Sequence, residues 1–93
     1  MKAIDYINKY GEDLKSSDTE IRNKAAQSIL ADMMMEASEI IKARNIKKAS
    51  SAISVIKELN QKWNAIASKV GILAHDGFKN IWIHEFPEYS GLF

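Results

Sequence analysis

Residues 46–70 read IKKASSAISVIKELNQKWNAIASKV and carry the strongest helical pattern in the chain. Along them, seam residues recur at alternating intervals of three and four, and Asn60 is the one polar member. This spacing places the whole seam on one face of an α-helix. It predicts a buried helix that follows an N-cap at Asn45 and ends in a left-handed cap at Gly71. The seam consists of Ile46, Ala49, Ile53, Ile56, Asn60, Trp63, Ala67 and Val70.

A second long helix is predicted upstream, from near Asp18 to about Ala43. Ser17 and Glu20 have the spacing of a capping box, in which each side chain satisfies a backbone donor at the other's position. Two long helices joined by a tight turn around residues 44–45 should form an αα-hairpin. The predicted seam of the upstream helix is Ala26, Leu30, Met33, Ala37 and Ile40, widened by Ile21, Ala25, Ile29, Met34 and Ile41.

Shorter elements are predicted outside this hairpin. Residues 2–14 predict a short first helix, because their apolar residues fall on one helical face, and Gly11 weakens its last turn. Near the other end, Asp76 either caps a short fourth helix, which the spacing favours, or forms with Gly77 the turn of a β-hairpin. Pro87 ends whichever element precedes it.

These patterns predict an all-α fold in a single domain over residues 1–93. The expected architecture is a small helical bundle built on a long αα-hairpin, with a short C-terminal helix or β-hairpin. An apolar fraction of 46% and a charged fraction of 27% are typical of an ordered globular chain. The absence of cysteine excludes disulfides, thiolate ligands and cysteine nucleophiles. No apolar run is long enough to span a membrane and no signal peptide opens the chain, so we expect no membrane association and a cytoplasmic location.

The formal net charge of +1 hides an uneven distribution. Three lysines and five acids give −2 in residues 1–20, and one lysine and three acids give −2 in residues 73–93. Nine lysines and arginines against four acids give +5 in residues 21–72. Four of these cations concentrate at the predicted hairpin turn, where they either contact phosphate or an acidic partner or simply form a solvated turn. They are Lys42, Arg44, Lys47 and Lys48.

The sequence contains no recognisable catalytic or metal-binding set. His75 and His84 supply too few ligands, at no recognised spacing, and are interpreted as structural or surface histidines. Ser50, Ser51 and Ser54 fall on the polar flank of a predicted helix rather than on a nucleophile turn. The glycines are isolated, so no phosphate-binding loop is predicted. The chain is therefore predicted not to be an enzyme and to carry no cofactor or metal.

Two apolar features are candidate partner contacts. In the run 33–35, either Met33 and Met34 fill the core and Met35 is partly exposed, or the methionines form an adaptable contact surface. Aromatic residues crowd the last part of the chain and must pack either on its own helices or on another chain. The candidate contacts are Met35, Trp82, Phe86 and Tyr89, in addition to the four turn cations.

A symmetric homodimer is also predicted. Helices of about 25 residues are ~37 Å long, which is elongated for a chain whose expected radius of gyration is ~12 Å. Two short terminal segments are not expected to cover both wide faces of such a hairpin, and a second copy would bury the remaining one. Asn60 either pairs across an interface to set its register or is partly exposed.

Residues 41–63 resemble two known kinds of helical hairpin. Their turn looks like that of tetratricopeptide-type repeats, but a single hairpin excludes a repeat protein because such folds need about three repeats. The same stretch resembles the helical hairpin of small phage-encoded anti-CRISPR proteins directed at type I systems. That resemblance implies a compact helical dimer that blocks a host protein through its surface. It rests on Ile41, Ala49, Ala52, Ile56, Lys62 and Trp63.

The leading hypothesis is a small non-enzymatic inhibitor or adaptor that binds a host protein or protein complex. If it is phage-encoded, it is expected to act in the host cytoplasm on a defence complex. The alternative is a nucleic-acid-binding regulator that uses the four turn cations. A third hypothesis is a structural subunit of a larger helical assembly.

Overall fold

The computed structural model describes residues 1–73 and 75–93. Four α-helices follow one another: α1 (Ala3–Leu14), α2 (Thr19–Ala43), α3 (Ala49–Val70) and α4 (Gly77–Glu85). A 3₁₀ turn, Pro87–Tyr89, comes after α4. The all-α prediction is confirmed, as is the αα-hairpin of α2 and α3. The β-hairpin alternative is wrong, because Gly77–Glu85, which includes its proposed second strand, is an α-helix.

α3 is the central helix of the bundle. Nine of its 22 residues are buried, whereas α2 buries five of its 25. The predicted seam is buried from Ile56 to Val70, but Ile46, Ala49 and Ile53 near the turn are only half-buried. Burial extends to four residues beside the seam, so α3 is covered on more than one side. These four are Ala52, Val55, Leu59 and Ile66.

α2 lies at the edge of the bundle and keeps a wide face in solvent. Three members of its predicted seam are buried, and the other two, Ala26 and Ile40, are half-buried. Ile21, which was predicted to widen the apolar face, is exposed. Two residues predicted only to widen the face, Ala25 and Ile29, are buried instead. The core therefore lies slightly to one side of the predicted seam. The buried seam members are Leu30, Met33 and Ala37.

The start of α2 differs from the predicted capping box. Asp18 is the N-cap, and its carboxylate accepts a hydrogen bond from the Glu20 backbone N–H at 2.9 Å. Ser16 Oγ in turn accepts from the Asp18 N–H at 3.1 Å. The predicted cap at Ser17 is one residue early, because the Asp18 carboxylate accepts the hydrogen bond from an amide that has no partner within the helix.

Asn45 ends α2 rather than capping α3, which corrects its predicted role. Its φ of 53° is left-handed, and its N–H donates to the Lys42 carbonyl at 3.0 Å. The Ile46 N–H donates to the Ile41 carbonyl at 3.0 Å. This pair of bonds is a Schellman motif, in which asparagine takes the position that glycine most often fills. Lys48 then precedes α3 without a side-chain cap.

The other predicted helix end is confirmed. Gly71 has a φ of 79°, and its N–H donates to the Ala67 carbonyl at 2.9 Å. Ile72 donates to the same carbonyl. A residue with a Cβ would be strained in this left-handed conformation, which is why glycine suits the end of α3.

α1 and α4 cover different halves of the hairpin. α1 contacts the half far from the turn: the Tyr6 hydroxyl donates to Asp32 at 2.9 Å, and Gly11 lies beside Val70. α4 begins against the middle of α3, where Gly77 abuts Trp63, and leads towards the turn. The buried apolar residues form one core, within a body of 41 × 23 × 19 Å and a radius of gyration of 13.5 Å. The homodimer stays a prediction.

Among the described residues, none of the helices is both long and apolar enough to cross a membrane.

Gly11 is expected to be a site where alanine stabilises the fold. It is a buried helical glycine, and an added Cβ would meet Ile7 Cγ2 at 3.6 Å and Val70 Cγ1 at 3.8 Å, which are ordinary contacts. Gly11→Ala should raise the free energy of unfolding by about 0.5–1 kcal/mol, measured by urea denaturation. The matched control is Gly91→Ala, which should destabilise because Gly91 has a φ of 84°. A loss of stability in Gly11→Ala would contradict the absence of steric conflict at this position.

Candidate functional site

The four cations of the hairpin turn lie on the surface without a carboxylate partner. Lys42, Arg44, Lys47 and Lys48 are all exposed, and none of them forms an ion pair with a described residue. The ion pairs in the described part of the chain lie elsewhere, between Lys62 and Glu36 at 3.1 Å and between Lys79 and Asp76 at 3.7 Å. Four positive charges without an ion-pair partner among the described residues therefore surround the Schellman turn, an arrangement that favours anions.

The aromatic tail packs mainly on its own chain, as one of the two sequence interpretations expected. Trp82 is 2% exposed and Tyr89 is 7% exposed, while Phe86 is half-buried. The ring of Trp82 lies 4.5 Å from that of Phe86 and 5.6 Å from that of Tyr89, centre to centre. Burying these large rings completes the core. Trp82 and Tyr89 therefore leave little of their own surface open, and their role as partner contacts stays a prediction.

A groove brings the turn and the tail together at this end of the bundle. Its volume is about 310 Å³. We call its apolar lining residues the floor; they are Ile41, Ile46, Trp82, Phe86 and Tyr89. We call its polar lining residues the rim; they are Ser38, Lys42, Lys47 and Glu88. We refer to this feature as the turn-end groove; it unites five of the eight residues predicted as partner contacts.

Trp82 and Tyr89 hold the floor of the turn-end groove in place. Trp82 Nε1 is buried and makes no hydrogen bond of good geometry within the described structure. Burial, and then the Glu88 carboxylate, raise the pKa of the Tyr89 hydroxyl, and the neighbouring indole of Trp82 partly offsets the rise. The floor is consequently an uncharged surface at neutral pH.

The remaining predicted contacts lie outside the groove. Arg44 and Lys48 flank it along the turn, within two residues of Lys42 or Lys47. Met35 is 63% exposed on the outer face of α2, while Met33 is buried and Met34 half-buried. The methionine run therefore follows the core-filling interpretation, with Met35 left at the surface.

A polar cluster that sequence reasoning missed fastens α4 to α3. The Asp76 carboxylate accepts hydrogen bonds from Asn60 Nδ2 at 2.8 Å and from Asn64 Nδ2 at 3.1 Å. Asn60 Oδ1 accepts from the Lys79 N–H, and Asn64 Oδ1 from the Asp76 N–H. Asn60 is only 8% exposed, so both earlier interpretations of it are wrong: its partners lie within the chain, and it is not partly exposed. The signal that could have indicated this cluster is the spacing of the two asparagines, which lie four residues apart on one helical face and can therefore share a partner.

This cluster predicts a loss of stability in acid. The hydrogen bonds from Asn60 and then Asn64 hold the pKa of the Asp76 carboxyl below its ordinary value. An aspartate whose pKa is lower in the folded than in the unfolded protein stabilises the fold at every pH above its unfolded-state pKa of about 4. This stabilisation is lost as the pH falls through the folded-state pKa. Asparagine tolerates the left-handed φ of 60° at this position. In Asp76→Asn, the free energy of unfolding should therefore fall less in acid than it does in wild type.

The measurement is the urea midpoint between neutral pH and about pH 2. Asp13→Asn is the matched control, because Asp13 is an exposed acid whose carboxylate accepts no hydrogen bond from a described residue. An identical acid profile in wild type and Asp76→Asn would contradict a role for Asp76 in holding α4.

The two histidines lie on the surface. His75 and His84 are both exposed. Within residues 1–73 and 75–93, the structure places no three histidine, cysteine, aspartate or glutamate side chains where they could hold a metal ion together.

Comparison with known proteins adds no relative. The chain matches no protein-family model, no curated protein and no solved structure.

Proposed function

We propose that this chain is a small non-enzymatic protein that binds a larger protein through the turn-end groove and thereby inhibits or adapts it. The observation that carries the proposal is the meeting of uncompensated cations with an apolar groove at one end of the molecule. Apolar anchors inside a polar rim are the usual anatomy of a protein-binding surface. Phe86 is the residue best suited as an anchor, since its ring is half-buried in the floor.

The proposed target is a host defence complex of the type I CRISPR class, with the chain encoded by a phage and active in the host cytoplasm. Support for this finer proposal comes from the resemblance of residues 41–63 to anti-CRISPR hairpins. Ala52, Ile56 and Trp63 are buried, so these matching residues maintain the hairpin rather than contact a target. The groove, which contains only Ile41 of the resembling residues, is proposed as the contact surface.

The proposal is tested by expressing the chain in a bacterium that carries an active type I system and a matching spacer. We expect phage plating to rise towards that of a strain without the system. The double variant Lys42→Glu with Lys47→Glu, called the rim variant below, should abolish the rise. Reversing both rim charges should repel a target whose contact surface is acidic. The matched control is Lys24→Glu with Lys69→Glu, called the far-end variant below, which reverses two exposed lysines at the far end of the hairpin. It should still raise phage plating.

A broader assay covers targets outside that defence class. The tagged chain and both double variants are used to purify binding proteins from the same lysate, followed by mass spectrometry. A partner retained by wild type and the far-end variant, but lost with the rim variant, supports binding through the groove. Retention of the same partners by all three proteins argues against the groove as the contact surface.

A second candidate function is nucleic-acid binding by the hairpin turn. It is favoured by the four exposed cations, which lie within seven residues of sequence. Its test is a gel-shift assay with duplex DNA at two salt concentrations. A shift that weakens in high salt and disappears in the rim variant would support this alternative.

A further inference from the structure

We infer that the turn-end groove receives an acidic peptide segment in which one aromatic side chain is flanked by carboxylates. This inference rests on the proposed function and adds the chemistry of the bound segment. The aromatic side chain enters the apolar floor, and its neighbouring carboxylates pair with Lys42 and Lys47.

The size of the groove suits one aromatic side chain. An apolar cavity of about 150 Å³ is enough to hold a benzene ring. The groove, at about 310 Å³, therefore accommodates one such ring with the backbone that carries it, and lies at the small end of the range for whole small-molecule ligands. Phe86 presents its partly exposed ring as the surface against which the entering side chain packs.

The charge of the rim selects carboxylates beside that ring. Lys42 and Lys47 line the groove, and Arg44 and Lys48 extend the positive charge along the turn. None of these cations forms an ion pair with a described carboxylate, so an acidic segment gains charge pairing without first breaking an internal ion pair. Glu88 is the only acid among the described residues of the rim, and it repels a segment that is negative along its whole length.

The burial of the rings favours a peptide over single-stranded nucleic acid. Base stacking needs open aromatic faces. Here Trp82 and Tyr89 are almost fully buried, and the floor also includes the aliphatic side chains of Ile41 and Ile46. Phe86 packs against these two buried rings, and of the three aromatic residues in the floor it alone is half-buried. The groove therefore forms a pocket for one side chain rather than a platform for successive bases.

The test titrates the whole protein with a short synthetic peptide that has one phenylalanine flanked by glutamates. Three probes serve as controls: the peptide with serine in place of phenylalanine, the peptide with lysines in place of glutamates, and a single-stranded oligonucleotide of matching length. Binding is measured by calorimetry and by the two indole N–H signals in proton–nitrogen NMR, which the Trp82→Phe spectrum assigns.

We expect the acidic phenylalanine peptide to bind and to move the Trp82 signal while the Trp63 signal stays in place. Each control peptide should bind the wild-type protein at least about tenfold more weakly. The acidic phenylalanine peptide should likewise bind Lys42→Glu with Lys47→Glu at least about tenfold more weakly than it binds wild type. The far-end variant, Lys24→Glu with Lys69→Glu, should bind as wild type does. Raising the salt concentration should weaken binding, because rim charges are screened.

Three results would overturn the inference: no binding of the acidic peptide, equal binding of the serine peptide, or tighter binding of the oligonucleotide. These failures are distinguishable from failure of the proposed function. A cellular partner lost only in the rim variant would keep the groove as a protein-binding site while showing that its ligand has another chemistry. Peptide binding without any groove-dependent partner would keep the ligand chemistry and remove the proposed inhibitor or adaptor role.

Discussion

Replacing Gly77 with alanine is expected to lower the free energy of unfolding by about 1–3 kcal/mol, the usual range for overpacking a core. An alanine Cβ at this position would lie 2.6 Å from Trp63 Nε1 and 3.3 Å from Trp63 Cε2. Trp63 is 1% exposed, so its rigid ring cannot move aside into solvent. The strain must instead displace the start of α4 from α3.

Whether Gly77→Ala lowers or raises the free energy of unfolding distinguishes a tight contact with Trp63 from a loose one. Alanine is otherwise the better helix former by about 1 kcal/mol, so Gly77→Ala would stabilise α4 if the contact with Trp63 were loose. Urea denaturation of a double-mutant cycle isolates the contact: Gly77→Ala should cost less in the Trp63→Phe background, where the indole nitrogen is gone. An equal cost in both backgrounds would contradict steric conflict with Trp63.

Replacing Trp82 with alanine is expected to cost about 3–5 kcal/mol of unfolding free energy. Trp82 is the ring at the centre of the tail, in contact with Phe78, Phe86 and Tyr89 at centre-to-centre distances of 6.1, 4.5 and 5.6 Å. Its removal leaves a cavity and unpairs these rings. A domain of this size is expected to have only about 5–14 kcal/mol of stability, so this loss is a large share of the total.

The measurement is thermal denaturation by circular dichroism, in which each kcal/mol corresponds to about 4–8 °C for a domain of this length. Leu73→Ala is the matched control, because Leu73 is 98% exposed and its truncation should change the midpoint little. Trp82→Phe should recover part of the loss by refilling the site. If Trp82→Ala melted as the Leu73 variant does, the tail would not be part of the core in solution.

The hairpin could be predicted from sequence because its signals are local. The alternating spacing of three and four defines a helical face whatever the rest of the chain does, and Gly71 marks a left-handed helix end by its lack of a Cβ. The turn cations were likewise predictable, since a short connection between two helices lies at the surface. The turn at Asn45 was placed correctly but its role was not, because asparagine is common both as an N-cap and in left-handed positions.

The candidate site was predictable only in part. Lys42 and Lys47 were identified by their charge, but nothing local indicates that they share a groove with Phe86, some forty residues away in sequence. Aromatic character alone does not distinguish an interface anchor from a core residue, which is why the sequence left both interpretations open for Trp82 and Tyr89. That choice depends on whether another element of the same chain is close enough to bury the ring.

The amino-acid sequence by itself determined the helices, their approximate ends and the basic turn, because backbone hydrogen bonding and apolar periodicity act over a few residues. Tertiary structure alone decided how α4 docks. The pairing of Asn60 with Asp76, the close approach of Gly77 to Trp63 and the burial of Trp82 all join residues that are distant in the chain. They exist only once α3 and α4 are packed, since a buried polar or aromatic group takes its partner from whatever the fold brings beside it.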